Sequence, residues 1–149
     1  MYGRYYEDFT CGEIICHSLK KTIVESDNNL FCLLTMNHHP VHLDIEYASA
    51  TQHKKILVVG TLVFSLAVGL TVADVSGKAI ANLEYKGIIH HNPVFIGDTI
   101  RATTIVLDLK ESISKPDRGV VTVETKVYNQ NHSMVLSFER KVLVLKRSS

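Results

Sequence analysis

Between Thr35 and Ala48 the chain reads TMNHHPVHLDIEYA, gathering an asparagine, three histidines and two acids into one short stretch. Such a set can hold a metal, move protons or simply be solvated. His38 and His42 are four residues apart, the spacing at which two imidazoles share a helix face as zinc ligands. Pro40 lies between them. Proline inside a helix costs about 3 kcal/mol or more and pushes the residue before it, His39, toward an extended conformation. The shared face is therefore not expected, and Asp44 and Glu46 have no second cluster elsewhere to complete a ligand set. No metal is expected. In the bland alternative, Asn37 caps a helix end and the histidines are solvated, which suits His38. It suits His42 less well, because apolar Val41 and Leu43 flank that residue. Imidazole is the side chain here whose ordinary pKa suits both taking and giving a proton near neutrality. Residue types alone leave the solvated loop and the proton-transfer site open.

The elements around this stretch follow from apolar spacing and turn signals. Ile14 to Val24 is predicted as a strand. Ser26 or Asp27 is placed to cap a short helix that carries Leu30, Phe31, Leu33 and Leu34 toward the core, and Pro40 ends it. Asp44 is placed to cap a second short helix through Ile45, Tyr47 and Ala48. From Ile56 to Ala73 the chain has no charged residue. That run is long enough to be weighed as a membrane span. It also contains Gly60, Thr61, Ser65, Gly69 and Thr71 and has no companion, so a helix near Gly60 onward, buried because a sheet wraps around it, is the expectation. From Ala79 the chain favours β-branched residues. Turn signals at His90 to Pro93, Ser114 to Gly119 and Asn129 to Asn131 divide it into four strands, near 79–88, 98–110, 119–128 and 133–146. Consecutive strands joined by short turns pair antiparallel, which predicts a four-stranded meander after the helices. The class is α+β, with one curved antiparallel sheet around one long apolar helix, and residues 1–149 are expected to form one domain.

Composition narrows the function classes. The chain has 149 residues, 46% of them hydrophobic and 21% charged, and a formal net charge of +1. These values fit a globular core and give no electrostatic footprint for nucleic acid. Cys11, Cys16 and Cys32 are odd in number and lack paired CxxC spacing, which suits free thiols in a reducing compartment. The N-terminus MYGRYYEDFT carries acids and tyrosines where a signal peptide needs a basic and then an apolar run. A cytoplasmic protein without a membrane partner is expected.

The run T-x-N-x-x-P-x-H-x-D, then EYA, then G-x-L-x-x-S-L at Gly60 to Leu66, resembles the signature of the MaoC-like dehydratases and R-specific enoyl-CoA hydratases. The likeness continues through NPVFIGDTI at 92–100. In KESISKPDRGVVTVETKVYNQ it resembles the branch that contains mesaconyl-CoA hydratase and methylmalyl-CoA dehydratase. The resemblance implies a hot-dog fold and a hydro-lyase acting on the 2,3 double bond of a short or branched enoyl-CoA, with the CoA thioester as substrate and no cofactor. It puts His42 on the family's catalytic histidine and Asn37 on the position of its catalytic acid. Ser65 matches the family serine of the S-L pair, whereas Val59 and Val68 depart from residues that relatives carry as histidine and serine.

Hydration of an enoyl thioester needs a base for water, a proton for C2 and donors for the charge that grows on the thioester oxygen. His42 suits the proton transfers. Asn37, with no titratable proton in this range, suits holding the water. The N–H groups of Gly60 or Thr61, at the start of the long helix, suit the oxygen. Gly60 is equally suited to close helix packing, and Asp44 to capping. Phosphates of the carrier would meet Lys115 and Arg118 in the SKPDRG turn, or Lys54 and Lys55. Asn37 leaves two alternatives in place: a noncatalytic acyl-thioester-binding subunit, and an acyl-CoA thioesterase, which would need a carboxylate base. Hot-dog proteins of this kind pair edge to edge with sites at the interface, so at least a homodimer is expected.

Overall fold

The computed structural model describes residues 2–147. Its elements in chain order are β1 (Ile14–Thr22), α1 (Glu25–Thr35), α2 (Ile45–Ser49), α3 (Gly60–Thr71), β2 (Ala79–His90), β3 (Thr99–Glu111), β4 (Arg118–Tyr128) and β5 (Met134–Leu145). The five strands form one antiparallel sheet in the order β1-β3-β4-β5-β2. Its inner face wraps α3, the hot-dog arrangement.

The uncharged run resolves as a buried helix. Leu62, Val63, Ala67 and Leu70 of α3 are buried against Ile100, Ala102, Val127, Leu136 and Phe138 of the sheet. Alternation on β3 and β4 supplies much of that lining: Ile100, Ala102, Thr104 and Val106 on β3 face inward, as do Val121, Val123, Thr125 and Val127 on β4. This is the period-two pattern of a sheet with one covered face. Phe64 of α3 meets the Phe138 ring edge to face at 5.0 Å. A second cluster, built on Tyr6, Phe9, Val75, Val121 and Val144, closes the far end of the sheet. Among the described residues no helix is long and apolar enough to cross a membrane. The three cysteines are free, with Cys11 and Cys16 exposed and Cys32 buried.

The α1 cap expected at Ser26 or Asp27 falls on Val24, whose N–H donates to Asp27 Oδ2 at 2.9 Å, and two larger expectations change. The meander comprises β3, β4 and β5 alone, because β2 pairs with β5, from Ala79↔Val144 to His90↔Leu136. The segment after His90 is a crossover, held by backbone bonds that lead it away from β2. Val58 N donates to Val94 O at 2.9 Å, and Gly97 N to Ile23 O at 2.7 Å. Ile23 N donates in turn to Asp98 O, so β3 starts beside β1. The second change is in α1. Leu30, Leu33 and Leu34 are exposed, and the helix turns Asn28 and Cys32 inward. It stops at Thr35, with Met36 left-handed at φ 58°, four residues ahead of the proline expected to end it.

Candidate active site

Pro40 opens a single 3-10 turn, Pro40–His42, whose N-cap His39 accepts a hydrogen bond from Val41 N at 3.1 Å through its Nδ1. His38 and His42 accordingly share no helix face. Asp44 caps α2 by accepting from Tyr47 N at 3.0 Å, as its position predicts. The turn presents His42, half-buried, to the strip of chain that leads into α3.

His42 Nδ1 lies 2.6 Å from the carbonyl oxygen of Leu57. A carbonyl only accepts, so Nδ1 carries the proton in the neutral ring and Nε2 keeps its lone pair. A base with a fixed tautomer follows from one backbone contact. The same two segments are joined by the side chain of Asn28, which is fully buried. Its Nδ2 donates to His42 O at 3.0 Å, and its Oδ1 accepts from Val59 N at 3.0 Å. Leu57 N also donates to Val41 O at 3.1 Å. The histidine turn and the entry to α3 are thus fastened to each other from three sides.

Val59 is the N-cap of α3 and offers no side-chain cap. Its carbonyl takes Leu62 N and Val63 N. The N–H groups of Gly60 and Thr61, as the first of the helix, have no intrahelical acceptor, and the helix dipole makes that end positive. Gly60 has a second constraint: a Cβ there would stand 3.0 Å from Cε1 of the His90 side chain, so any larger residue requires that ring to shift.

Two cavities flank this junction. One of about 290 Å³ is lined by His42, Asn28, Glu25, Lys54, Lys55 and Phe95, with Lys55 Nζ 4.1 Å from the centre of the Phe95 ring. The other, of about 230 Å³, is lined by Gly60, Leu57, Val63, His90 and His91. Of the residues singled out from sequence, His42 therefore lines one cavity and Gly60 the other. Thr61 and Ser65 are exposed on α3. Asn37 lies just past the end of α1, where its N–H donates to Cys32 O and its Oδ1 accepts from His39 N at 3.4 Å. It lines neither cavity.

The SKPDRG turn lies at the far end of β3 from His42 in the same chain. β3 leaves the His42 end at Thr99 and reaches the turn after Glu111, a run of about 40 Å at strand rise. Lys115 is exposed there, and Arg118 is forked onto its neighbour Asp117 at 2.7 and 3.0 Å, which raises the guanidinium pKa further. Neither residue belongs to the His42 cavity of its own chain, whereas Lys54 and Lys55 line it. Asn28, Glu25 and His90 were not singled out from sequence. The run Ser26-Asp27-Asn28-Asn29 looks like cap chemistry, and no local pattern says that one of its amides is buried.

A family model for the MaoC-like domain matches residues 9–129. This chain belongs to the MaoC-like domain family. Within it, the chain is similar to mesaconyl-CoA hydratase of Cereibacter sphaeroides, 38% identical over 147 residues, which are 99% of this chain and 43% of that protein. It is also similar to the (R)-specific enoyl-CoA hydratase of Rhodospirillum rubrum, 37% identical over 125 residues, covering 81% of this chain and 78% of that one. A solved structure of a putative MaoC domain protein dehydratase from Chloroflexus aurantiacus matches with a TM-score of 0.93 at 34% identity, covering 98% of this chain and 41% of that chain. This MaoC-like chain therefore spans less than half the length of the Cereibacter and Chloroflexus proteins.

Proposed function

We propose that this MaoC-like chain is a hydratase or dehydratase for the 2,3 double bond of a short or branched enoyl-CoA. The observation that carries the proposal is the Leu57 carbonyl on His42 Nδ1, which ties the ring to the strip that leads into the uncapped start of α3 and leaves Nε2 as a base. The names of the similar hydratases supply the substrate class. In the hydration direction His42 Nε2 takes a proton from water, the hydroxide oxygen bonds to C3, and the proton is delivered to C2. Gly60 and Thr61 N–H groups hold the thioester oxygen while it is enolate-like. Asn37, given the water-holding role by the family pattern alone, transfers no proton. Lys54 and Lys55, at the edge of the His42 cavity, are placed for phosphates of the carrier.

The assembly belongs to the same proposal. β2 is an edge strand whose residues from Leu83 to His90 are all exposed, with Leu83 at 52%, Ile88 at 42% and Ile89 at 52%. A long apolar edge of this kind templates pairing. A second copy pairing β2 to β2 covers it, and a monomer mass in light scattering at micromolar concentration would exclude that arrangement.

The purified chain, presented with a panel of enoyl-CoA thioesters, should consume the conjugated double bond without releasing thiol. Release of thiol identifies a thioesterase, and binding without either signal identifies the acyl-thioester-binding subunit. Asn37→Asp sharpens the test. The substitution restores the carboxylate that the family pattern pairs with the histidine, and such a charge favours the protonated imidazole. The acid limb of the pH profile should therefore move to higher pH, with a modest change in turnover. Activity confined to the variant would overturn the catalytic proposal in favour of the binding subunit.

A further inference from the structure

We propose that the outer face of the sheet, at the irregularity in β1, carries a binding site for a phosphate group, built from Arg101, Lys20, Tyr128 and His132. Lys20 pairs with Arg101, and Arg101 with Tyr128, so the three form one rung across β1, β3 and β4. Directly paired residues point to the same side of a sheet, and neighbouring strands lie about 5 Å apart, so the three side chains rise together. Ile100 and Ala102, buried on either side of Arg101, fix that side as the one away from α3.

The sheet is opened at this point. Between Cys16↔Thr103 and Lys20↔Arg101 the chain advances four residues on β1 and two on β3, so β1 carries two unpaired residues. Beside them lies a concavity of about 410 Å³, also lined by His132 of the β4–β5 loop. That size is within the range of small-ligand sites. No carboxylate lines it. Glu124, on the same face of β4, is paired with Lys126 at 3.5 Å.

The donors here lack partners. Arg101 Nε is buried and unbonded, and it is the buried side-chain nitrogen or oxygen so found among the described residues. Buried N–H groups are nearly always bonded, so an orphan calls for a missing acceptor. Arg140, a buried cation on the inner face of the sheet, shows the usual outcome: Nε and Nη2 donate to Asn82 Oδ1, and Nη1 to Thr71 Oγ1. The side chains of Lys20, Tyr128 and His132 likewise make no hydrogen bond or ion pair among the described residues. A carboxylate would be saturated by the guanidinium fork alone. A phosphate has a further oxygen for the Lys20 ammonium and the Tyr128 hydroxyl, which makes it the better match to the whole set.

The phosphate has two possible sources, a free phosphorylated metabolite and the carrier of a CoA thioester. Calorimetric titration of the full chain in chloride buffer with inorganic pyrophosphate, coenzyme A and 3′-dephospho-coenzyme A separates them. Pyrophosphate should bind, and Arg101→Gln should weaken it about 10- to 100-fold, the value of a charge-assisted fork. Coenzyme A losing affinity in that variant while the dephospho form does not would name the carrier's 3′-phosphate as the ligand. Coenzyme A indifferent to the substitution would name a free phosphate compound. Should Arg101→Gln lower the melting temperature of the free chain, Tyr128→Phe keeps the ring and should weaken pyrophosphate about 2- to 10-fold. Failure of all three probes to bind, or binding unchanged in both variants, overturns the site.

Discussion

His42→Ala is expected to lower the turnover of enoyl-CoA hydration by about 100- to 10,000-fold, the range for a positioned acid or base. Affinity for the thioester should change little, because the carrier and the acyl chain are held elsewhere. The fold should survive, since His42 is half-buried and water can replace its bond to the Leu57 carbonyl. His42→Gln separates the two duties of the ring: its amide can donate to Leu57 O but has no base of suitable pKa. Steady-state kinetics on both variants, with circular dichroism as the control for folding, decides the matter. A variant with wild-type turnover would remove His42 from the mechanism. A loss in alanine that glutamine restores would make the ring a structural hook only.

What the sequence disclosed about this region, and what it withheld, follows from the range of the interactions involved. The α3 segment was legible because absence of charge over a long run has few explanations in a globular chain. The β3–β4 and β4–β5 hairpins were legible because their turns carry local residue signals. The pairing of β2 with β5 was not, since the eight residues that lead from β2 to β3 are steered by backbone bonds to Ile23 and Val58, partners distant in sequence. For the same reason His42 was identifiable by type and motif, while the orientation of its ring rests on the carbonyl of Leu57, which has no side-chain signature. Lys115 and Arg118 were rightly seen as a basic turn. Their remoteness from His42 is set by the length of β3, and only the folded sheet turns that length into a distance. The outward leucines of α1 misled because their spacing is that of an apolar stripe, whereas the helix is turned so that Asn28 and Cys32 face inward.

Asn28→Leu is expected to have the largest effect on stability of any single substitution near the site. The two side chains have the same number of heavy atoms and the same branching, so the loss is chiefly one of polarity. Two polar groups are left behind: the carbonyl of His42 and the N–H of Val59, each of which now meets the buried amide at 3.0 Å. An unsatisfied buried donor or acceptor costs about 1–3 kcal/mol, so the pair costs about 2–6 kcal/mol. That is a large part of the 5–15 kcal/mol that holds a typical domain together. Denaturant titration should show a lower midpoint with an unchanged slope. Asn28→Asp supplies the comparison that isolates positioning from bulk stability. Its carboxylate still accepts from Val59 N but cannot donate to His42 O, and it brings a negative charge close to the histidine turn. The imidazole is then favoured in its protonated form, and the acid limb of the hydration profile should shift to higher pH. A purely structural asparagine would lower stability in both variants and leave the pH profile in place. An Asn28→Leu variant as stable as the parent would mean that water reaches both groups, and that the amide does not fasten the histidine turn to the start of α3.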